Sequence, residues 1–280
     1  MGAAAPACEA ARAPAPALFD VPFDLVDGRI YVQAQVNDTG PFRFAVDTGA
    51  SGMARADSRL VRTLALPPGG SALNFDGLQN AEATTVHIDS LSLGALRHRD
   101  ITAIARDYNA RQLEPETFDG ILARGFFGDG LLTIDYPRRR LQFTRGPGLS
   151  ADQPDTLPYT RAFRIPVTIG TLQTEAQLDT GANVTLVLPS TQYAKASAAG
   201  LPAQRERLTL GHGELSSGRV HFGGTLQAGA LTLRDFEVRV AERYPEAVIG
   251  AHALQASVVL IDQGSQRVAI CPATAAPASP

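Results

Sequence analysis

Along Arg29–Val36 the apolar residues Ile30, Val32, Ala34 and Val36 alternate with polar or amphipathic neighbours. Period two of this kind marks a half-buried strand. Ile165, Val167 and Ile169 repeat it, as do Phe236, Val238 and Val240. The dipeptides Asp27-Gly28 and Asp76-Gly77 fall between such runs, where hairpin turns belong. Helical spacing is scarce, the best stretches being 250–256 and part of 57–66. The pattern predicts a mostly β protein. Residues 144–158 concentrate Gly, Pro and Asp and read as a linker. That linker divides the chain almost in half.

The halves repeat one another. Ala45-Val46-Asp47-Thr48-Gly49-Ala50 answers Gln177-Leu178-Asp179-Thr180-Gly181-Ala182, an offset of 179 − 47 = 132. Gly94 and Gly229, each inside a Leu-rich turn followed by Arg-Asp, are 229 − 94 = 135 apart. Ile121-Leu122-Ala123 answers Val248-Ile249-Gly250, and Ile134-Asp135 answers Ile261-Asp262, both at an offset of 127 (249 − 122 and 262 − 135). The fall from 135 to 127 puts eight extra residues of the first half between Ile101 and Gly120. Four landmarks in one order identify a duplicated lobe. The expected organisation is a flexible Ala/Pro-rich start (1–18), an N-terminal lobe (19–143), the linker (144–158), a C-terminal lobe (159–271) and a flexible tail (272–280).

A carboxylate placed at equivalent points of a repeat meets its copy if the lobes pack about a two-fold axis. Two carboxyls sharing a site cannot both ionise easily, so they hold one proton between them and titrate as a unit. One member can then deprotonate a water while the other polarises a carbonyl. Val46 and Leu178 are apolar lead-ins to Asp47 and Asp179, Gly49 and Gly181 permit tight loops, and Thr48 and Thr180 bring hydroxyls able to reach the opposite lobe. A third Asp-Thr-Gly, at Asp38-Thr39-Gly40, follows Asn37, precedes Pro41 and has no copy in the second half. Its chemistry is that of a hairpin turn.

Net charge is −3, and no basic stripe is available to neutralise phosphates, which argues against nucleic acid or an anionic membrane as partner. No apolar run approaches the roughly 20 residues that span a bilayer. The five histidines (His87, His98, His212, His221 and His252) are scattered, with no His-Glu-x-x-His and no cysteine cluster, so neither a metal nor another cofactor is expected. No Gly-x-Ser-x-Gly elbow is present for a serine nucleophile. Arg138-Arg139-Arg140 reads as a solvated turn. Cys8 and Cys271 stand near opposite ends, and two readings stay open: unrelated thiols, or a disulfide joining the tails in an oxidising compartment. Residues 1–17, mostly Ala and Pro, lack the apolar middle of a signal peptide. They suit the start of an exported chain whose signal was removed, with Met-Gly in front.

The paired apolar-apolar-Asp-Thr-Gly-Ala motif, each copy followed by an apolar pair and an Ile-Asp strand, resembles the aspartic peptidases, and within them the bacterial retropepsin-like enzymes. Ala50 and Ala182 after the glycines look like the retroviral type. The resemblance covers roughly residues 21–270. It implies an all-β, bilobal β-barrel fold with pseudo-two-fold symmetry and a central cleft, and a water between catalytic Asp47 and Asp179. Thr48, Gly49, Ala50, Thr180, Gly181 and Ala182 would support the catalytic loops. Substrate contacts would come from Ser51 and Asn183 and from flap hairpins at Asp76-Gly77 and Gly211-His212-Gly213, residues that equally suit ordinary surface turns. A monomer should suffice, since both motifs sit in one chain. Two departures stand out: Ala123 replaces the family's glycine, kept at Gly250, and neither flap segment carries a tyrosine. The function implied is an endopeptidase, periplasmic or secreted, acting on extended polypeptide. The alternative is a weakly active or inactive peptide-binding module of the same fold.

Overall fold

The computed structural model describes residues 5–10, 16–75, 80–110, 112–197, 206–209 and 214–273. The alternation in the sequence becomes burial. Ile30, Val32, Ala34 and Val36 are buried while Gln33 and Gln35 are exposed. Each such aliphatic side chain contributes roughly 1.5–3 kcal/mol relative to an exposed one. Ile165, Val167, Ile169, Phe236, Val238 and Val240 are buried in the same way.

Each half builds one sheet with the same strand order. In the first the neighbours run Asp24–Val26, Arg29–Val36, Thr39–Asp47, Gly120–Ala123, Ala54–Asp57, Leu96–Arg106, Asn80–Leu93 and Pro68–Phe75. The second runs Arg164–Ile169, Leu172–Asp179, Ala247–Gly250, Leu186–Pro189, Leu231–Ala241, Glu214–Ala228 and Glu206–Thr209. Both sheets also close on themselves, through Gln35 opposite Ser92 and Thr168 opposite Gln227. Closure of this kind makes a barrel and removes exposed edges. The fold is all-β.

A third, six-stranded sheet joins the halves, with Leu131–Asp135 antiparallel to Ser257–Asp262 at its centre. Thr133 pairs with Leu260, and 260 − 133 = 127, the offset of the repeat at this point. A residue paired with its own copy lies on the axis relating the halves. The pseudo-two-fold axis therefore passes between Thr133 and Leu260.

Local structure meets the sequence expectation in some places, the helix within 57–66 among them, and departs from it in others. Ser58–Leu64 is an α-helix, capped by the Asp57 carboxylate accepting from the Arg59 N–H. The stretch 250–256 forms only a 3-10 turn, Ala251–Leu254. Its Ala251 and His252 N–H groups donate instead to the Ala182 and Val184 carbonyls, so they are committed to the neighbouring loop. Within 144–158, Leu149 and Thr156 are buried and Leu157–Pro158 pairs with the strand Arg267–Pro272. Ala7–Ala10 is a short helix whose Ala7 and Cys8 N–H groups donate to the two Asp155 oxygens at 2.7 and 2.8 Å. Cys8 and Cys271 form a disulfide. Among the described residues no helix is long and apolar enough to cross a membrane.

Candidate active site

Asp47 ends the strand Thr39–Asp47, and Asp179 ends Leu172–Asp179. Each of these strands is held by a parallel neighbour, Asp47 lying opposite Ala123 and Asp179 opposite Gly250. Past each aspartate the chain turns sharply enough to bond back on its own carboxylate. The Ala50 N–H donates to Asp47 Oδ1 and the Gly181 N–H to Asp179 Oδ1, both at 2.8 Å.

The two loops meet at the axis. A Cβ on Gly49 would lie 2.4 Å from Asp179 Oδ2, and one on Gly181 would lie 2.5 Å from Asp47 Cγ. Each glycine thus makes room for the opposite carboxylate. Beneath them Thr48 and Thr180, both buried, take part in four bonds across the repeat, two of them between each other. The Thr48 N–H donates to Thr180 Oγ1 at 3.1 Å, and the Thr180 N–H to Thr48 Oγ1 at 3.0 Å. The Thr48 hydroxyl donates to the Leu178 carbonyl at 3.0 Å and the Thr180 hydroxyl to the Val46 carbonyl at 2.8 Å. Both N–H groups and both hydroxyls of this buried plug thus have partners, each lying across the repeat.

Electrostatics follow from the geometry. Burial, then the adjacent Asp47 charge, raises Asp179 well above the ordinary carboxylate range, against the pull of N–H donors from Gly181 and Ala182. A side-chain hydrogen bond between the two aspartates works in the same upward direction. Such a pair holds a proton at pH values where isolated carboxyls have lost theirs.

Two arginines absent from the sequence reading hold the loops. Arg124 NH1 donates to the Gly49 carbonyl at 3.2 Å, and Arg29 Nε donates to the Gly181 carbonyl at 3.0 Å. Both come from the first half, so the repeat conceals them: Arg124 answers Ala251 (251 − 124 = 127). Burial and the nearby Arg164 depress the Arg124 guanidinium, while the charges of Asp47 and Asp179 act the other way. Arg29 also reaches Asn183 Oδ1 at 3.3 Å and stands 3.9 Å from Glu116, which belongs to the first half's extra segment. Asn183 in turn donates to Asp27, whose carboxylate and carbonyl lie 3.1 Å from His252 Nε2.

Ala123 is accommodated. A Cβ on Gly250 would lie 2.3 Å from the Val184 carbonyl, so that position admits no methyl. In the first half Val184 is answered by Gly52 (184 − 52 = 132), which adopts φ +83, while the loop keeps the same backbone bonds: Arg124 N–H to the Ala50 carbonyl and Gly125 N–H to the Gly52 carbonyl match Ala251 to Ala182 and His252 to Val184. Ala123 keeps its N–H bond to the Met53 carbonyl at 3.1 Å and is fully buried.

The remaining sequence candidates divide. Ser51 and Asn183 stand in the loops that follow the two motifs, each partly buried. Asp76, Gly77, Gly211, His212 and Gly213 lie outside the described residues, although the strands leading to them pair, ending at Phe75 opposite Asn80 and Thr209 opposite Glu214. Asp38 occupies a tight turn with φ +58, next to Asn37 at φ +51, and pairs with Arg97 away from the dyad. Among the described residues the group close enough to hold a metal ion is Cys8, Cys271 and Asp155, and its two sulfurs are bonded to each other.

Residues 32–133 match the family model described as aspartyl protease. This segment is similar to the aspartyl proteases. The match takes in Asp47, its loop and the strand Gly120–Ala123, and it ends within the strand that carries the axis. Comparison with curated proteins returns no match. Asp179 lies beyond the aspartyl protease match, and its kinship with Asp47 rests on the repeat and on the reciprocal threonine bonds.

Proposed function

We propose that the chain is an aspartic endopeptidase in which Asp47 and Asp179 activate one water against a peptide carbonyl. The observation that carries this reading is the convergence of two aspartates from equivalent strand ends, with Asp179 raised by burial and by its partner. Asp179 retains the shared proton and donates it toward the carbonyl oxygen of the scissile bond. Asp47 accepts a proton from the attacking water, whose oxygen forms the new bond to carbon. A tetrahedral diol results. In its collapse the C–N bond breaks, Asp47 passes the water's proton to the leaving nitrogen, and a hydroxyl of the diol returns its proton to Asp179. No covalent acyl-enzyme is formed, and the pair ends with the single proton it began with.

An extended polypeptide suits such a site, because backbone hydrogen bonds recognise any sequence and side-chain contacts set preference. Thr48, Gly49, Ala50, Thr180, Gly181 and Ala182 would keep the carboxylates in register, and Ser51 and Asn183 would meet the substrate beside them. One chain supplies both aspartates, so the working unit is a monomer. The Cys8–Cys271 disulfide supports an oxidising location, periplasmic or secreted.

The mechanism is tested by hydrolysis in heavy-oxygen water with an added amine nucleophile. Label in the new carboxylate with no amine-trapped acyl product is expected. Capture of the acyl group by the amine would show a covalent intermediate and overturn the scheme.

A further inference from the structure

Arg55 lies in Ala54–Asp57, the strand after the first Asp-Thr-Gly loop, and is 8% exposed. Its Nε is sealed from water without a hydrogen-bond partner, and its guanidinium makes no ion pair among the described residues. An arginine remains protonated in a protein, so a positive charge is buried here with no counter-charge paired to it among the described residues. Folding tolerates that arrangement poorly, and positions that keep it are strong candidates for a function.

The sheet register fixes which face the charge occupies. Ile121 lies opposite Ala45 on one side and Arg55 on the other, while Arg55 lies opposite Ile104 and Ile104 opposite Thr85. Paired residues share a face, and so do residues two apart on one strand. Asp47, two residues after Ala45, is therefore on the face of Arg55, as is Ala123. The other face, with Val46 and Leu122, packs into the main core. Arg55 thus stands on the dyad side of the sheet. Its charge acts on Arg124, and both aspartates act on Arg124 in turn.

Two more buried polar atoms on this side have no partner: Thr85 Oγ1 and the Tyr108 hydroxyl. Tyr108 packs on the small apolar cluster that contains Ala50, Ile121 and Ala123. The carboxylate of the same strand, Asp57, is already occupied by the N–H groups of Arg59, Tyr108 and Asn109. In the second half the position of Arg55 is held by Val187 (187 − 55 = 132), and the arginine opposite it, Arg239, bonds Ser217 Oγ at 3.5 Å.

We propose that Arg55 makes this site select a polypeptide carrying a side-chain carboxylate, from Asp or Glu, beside the scissile bond. The inference rests on the peptidase reading of the same site. A planar guanidinium binds a carboxylate by donating two parallel N–H bonds.

The test uses the full chain and paired peptides that differ only by Glu or Gln at each position around the cleaved bond. The native protein should favour Glu at one position by about 10- to 100-fold in kcat/KM, the range of a hydrogen bond to a charged group. Arg55→Met should abolish that ratio, and Arg55→Lys, which keeps the charge without the fork, should reduce it without reversing it. Thermal unfolding of both variants checks that they fold; Arg55→Met should melt no lower than the native chain. Equal rates on Glu and Gln peptides, or a ratio kept in Arg55→Met, would overturn the proposal and leave the peptidase reading intact. Absence of all cleavage would count against the peptidase reading instead. Binding of the same fluorescent peptides to Asp179→Asn, with and without Arg55→Met, then decides the role of Arg55: a Glu preference lost with the arginine supports it, and equal binding overturns it.

Discussion

Thr180→Val changes one hydroxyl to a methyl and almost nothing in shape. The residue is fully buried, and its Oγ1 takes the Thr48 N–H at 3.1 Å and gives its own proton to the Val46 carbonyl at 2.8 Å. Valine leaves that donor and that acceptor without partners where water does not reach. Each orphaned group costs about 1–3 kcal/mol. Two therefore cost roughly 2–6 kcal/mol, of which the new buried methyl returns about 0.8. Against a total stability of about 5–15 kcal/mol, that is a large fraction. Thr180→Ser keeps the hydroxyl and should lose only about 1 kcal/mol for the missing methyl. Thr48→Val orphans a different pair, the Thr180 N–H and the Leu178 carbonyl, and should cost as much as Thr180→Val. Urea unfolding followed by circular dichroism measures all three. A Thr180→Val variant within about 0.5 kcal/mol of native, a change typical of an exposed surface site, would refute the reasoning.

Gly181→Ala should abolish peptide hydrolysis while leaving the far-ultraviolet spectrum unchanged, because its Cβ would sit 2.5 Å from Asp47 Cγ; an active variant would show that the carboxylates are not this close. Asp179 is raised in the folded state, so the folded chain binds its proton more tightly than the unfolded one. Stability from this group is full below the unfolded value near 3.9 and is lost as pH rises through the raised value. Asp179→Asn should therefore melt higher than native at neutral pH, with the difference shrinking toward about pH 4; a constant difference across that span would contradict the assignment. Cys8 and Cys271 are 263 residues apart, and replacing both by serine should cost about 2–5 kcal/mol in a denaturant titration. An unchanged midpoint would mean that the unfolded chain is not constrained by the bridge.

Much of the architecture was legible because it is written twice. The period-two runs gave the strands, and the matched Asp-Thr-Gly-Ala motifs located both loops before any geometry was known. The register of Thr133 opposite Leu260 has the same origin, an axis demanding that a residue meet its copy. What a repeat cannot reveal is whatever one half does alone. Arg29 and Arg124 hold both Asp-Thr-Gly loops from the first half, and Arg55 occupies a position where the second half has Val187. Each looks like an ordinary charged residue until the sheet register puts it on the dyad side. Ala123 replaces the glycine kept at Gly250, yet it is fully buried and its N–H donates to the Met53 carbonyl just as that of Gly250 donates to Thr185. The helical reading of 250–256 failed for a non-local reason, since its N–H groups bond the loop at Ala182 and Val184.

The central claim is that Asp47 and Asp179 act together on peptide bonds. Its most direct test is cleavage of a diverse peptide library from about pH 3 to about pH 8 by the native chain, Asp47→Asn and Asp179→Asn. Native cleavage should fade toward the upper end as the shared proton is lost, and each asparagine variant should keep less than about a thousandth of the native rate. Undiminished cleavage by either variant would contradict the account.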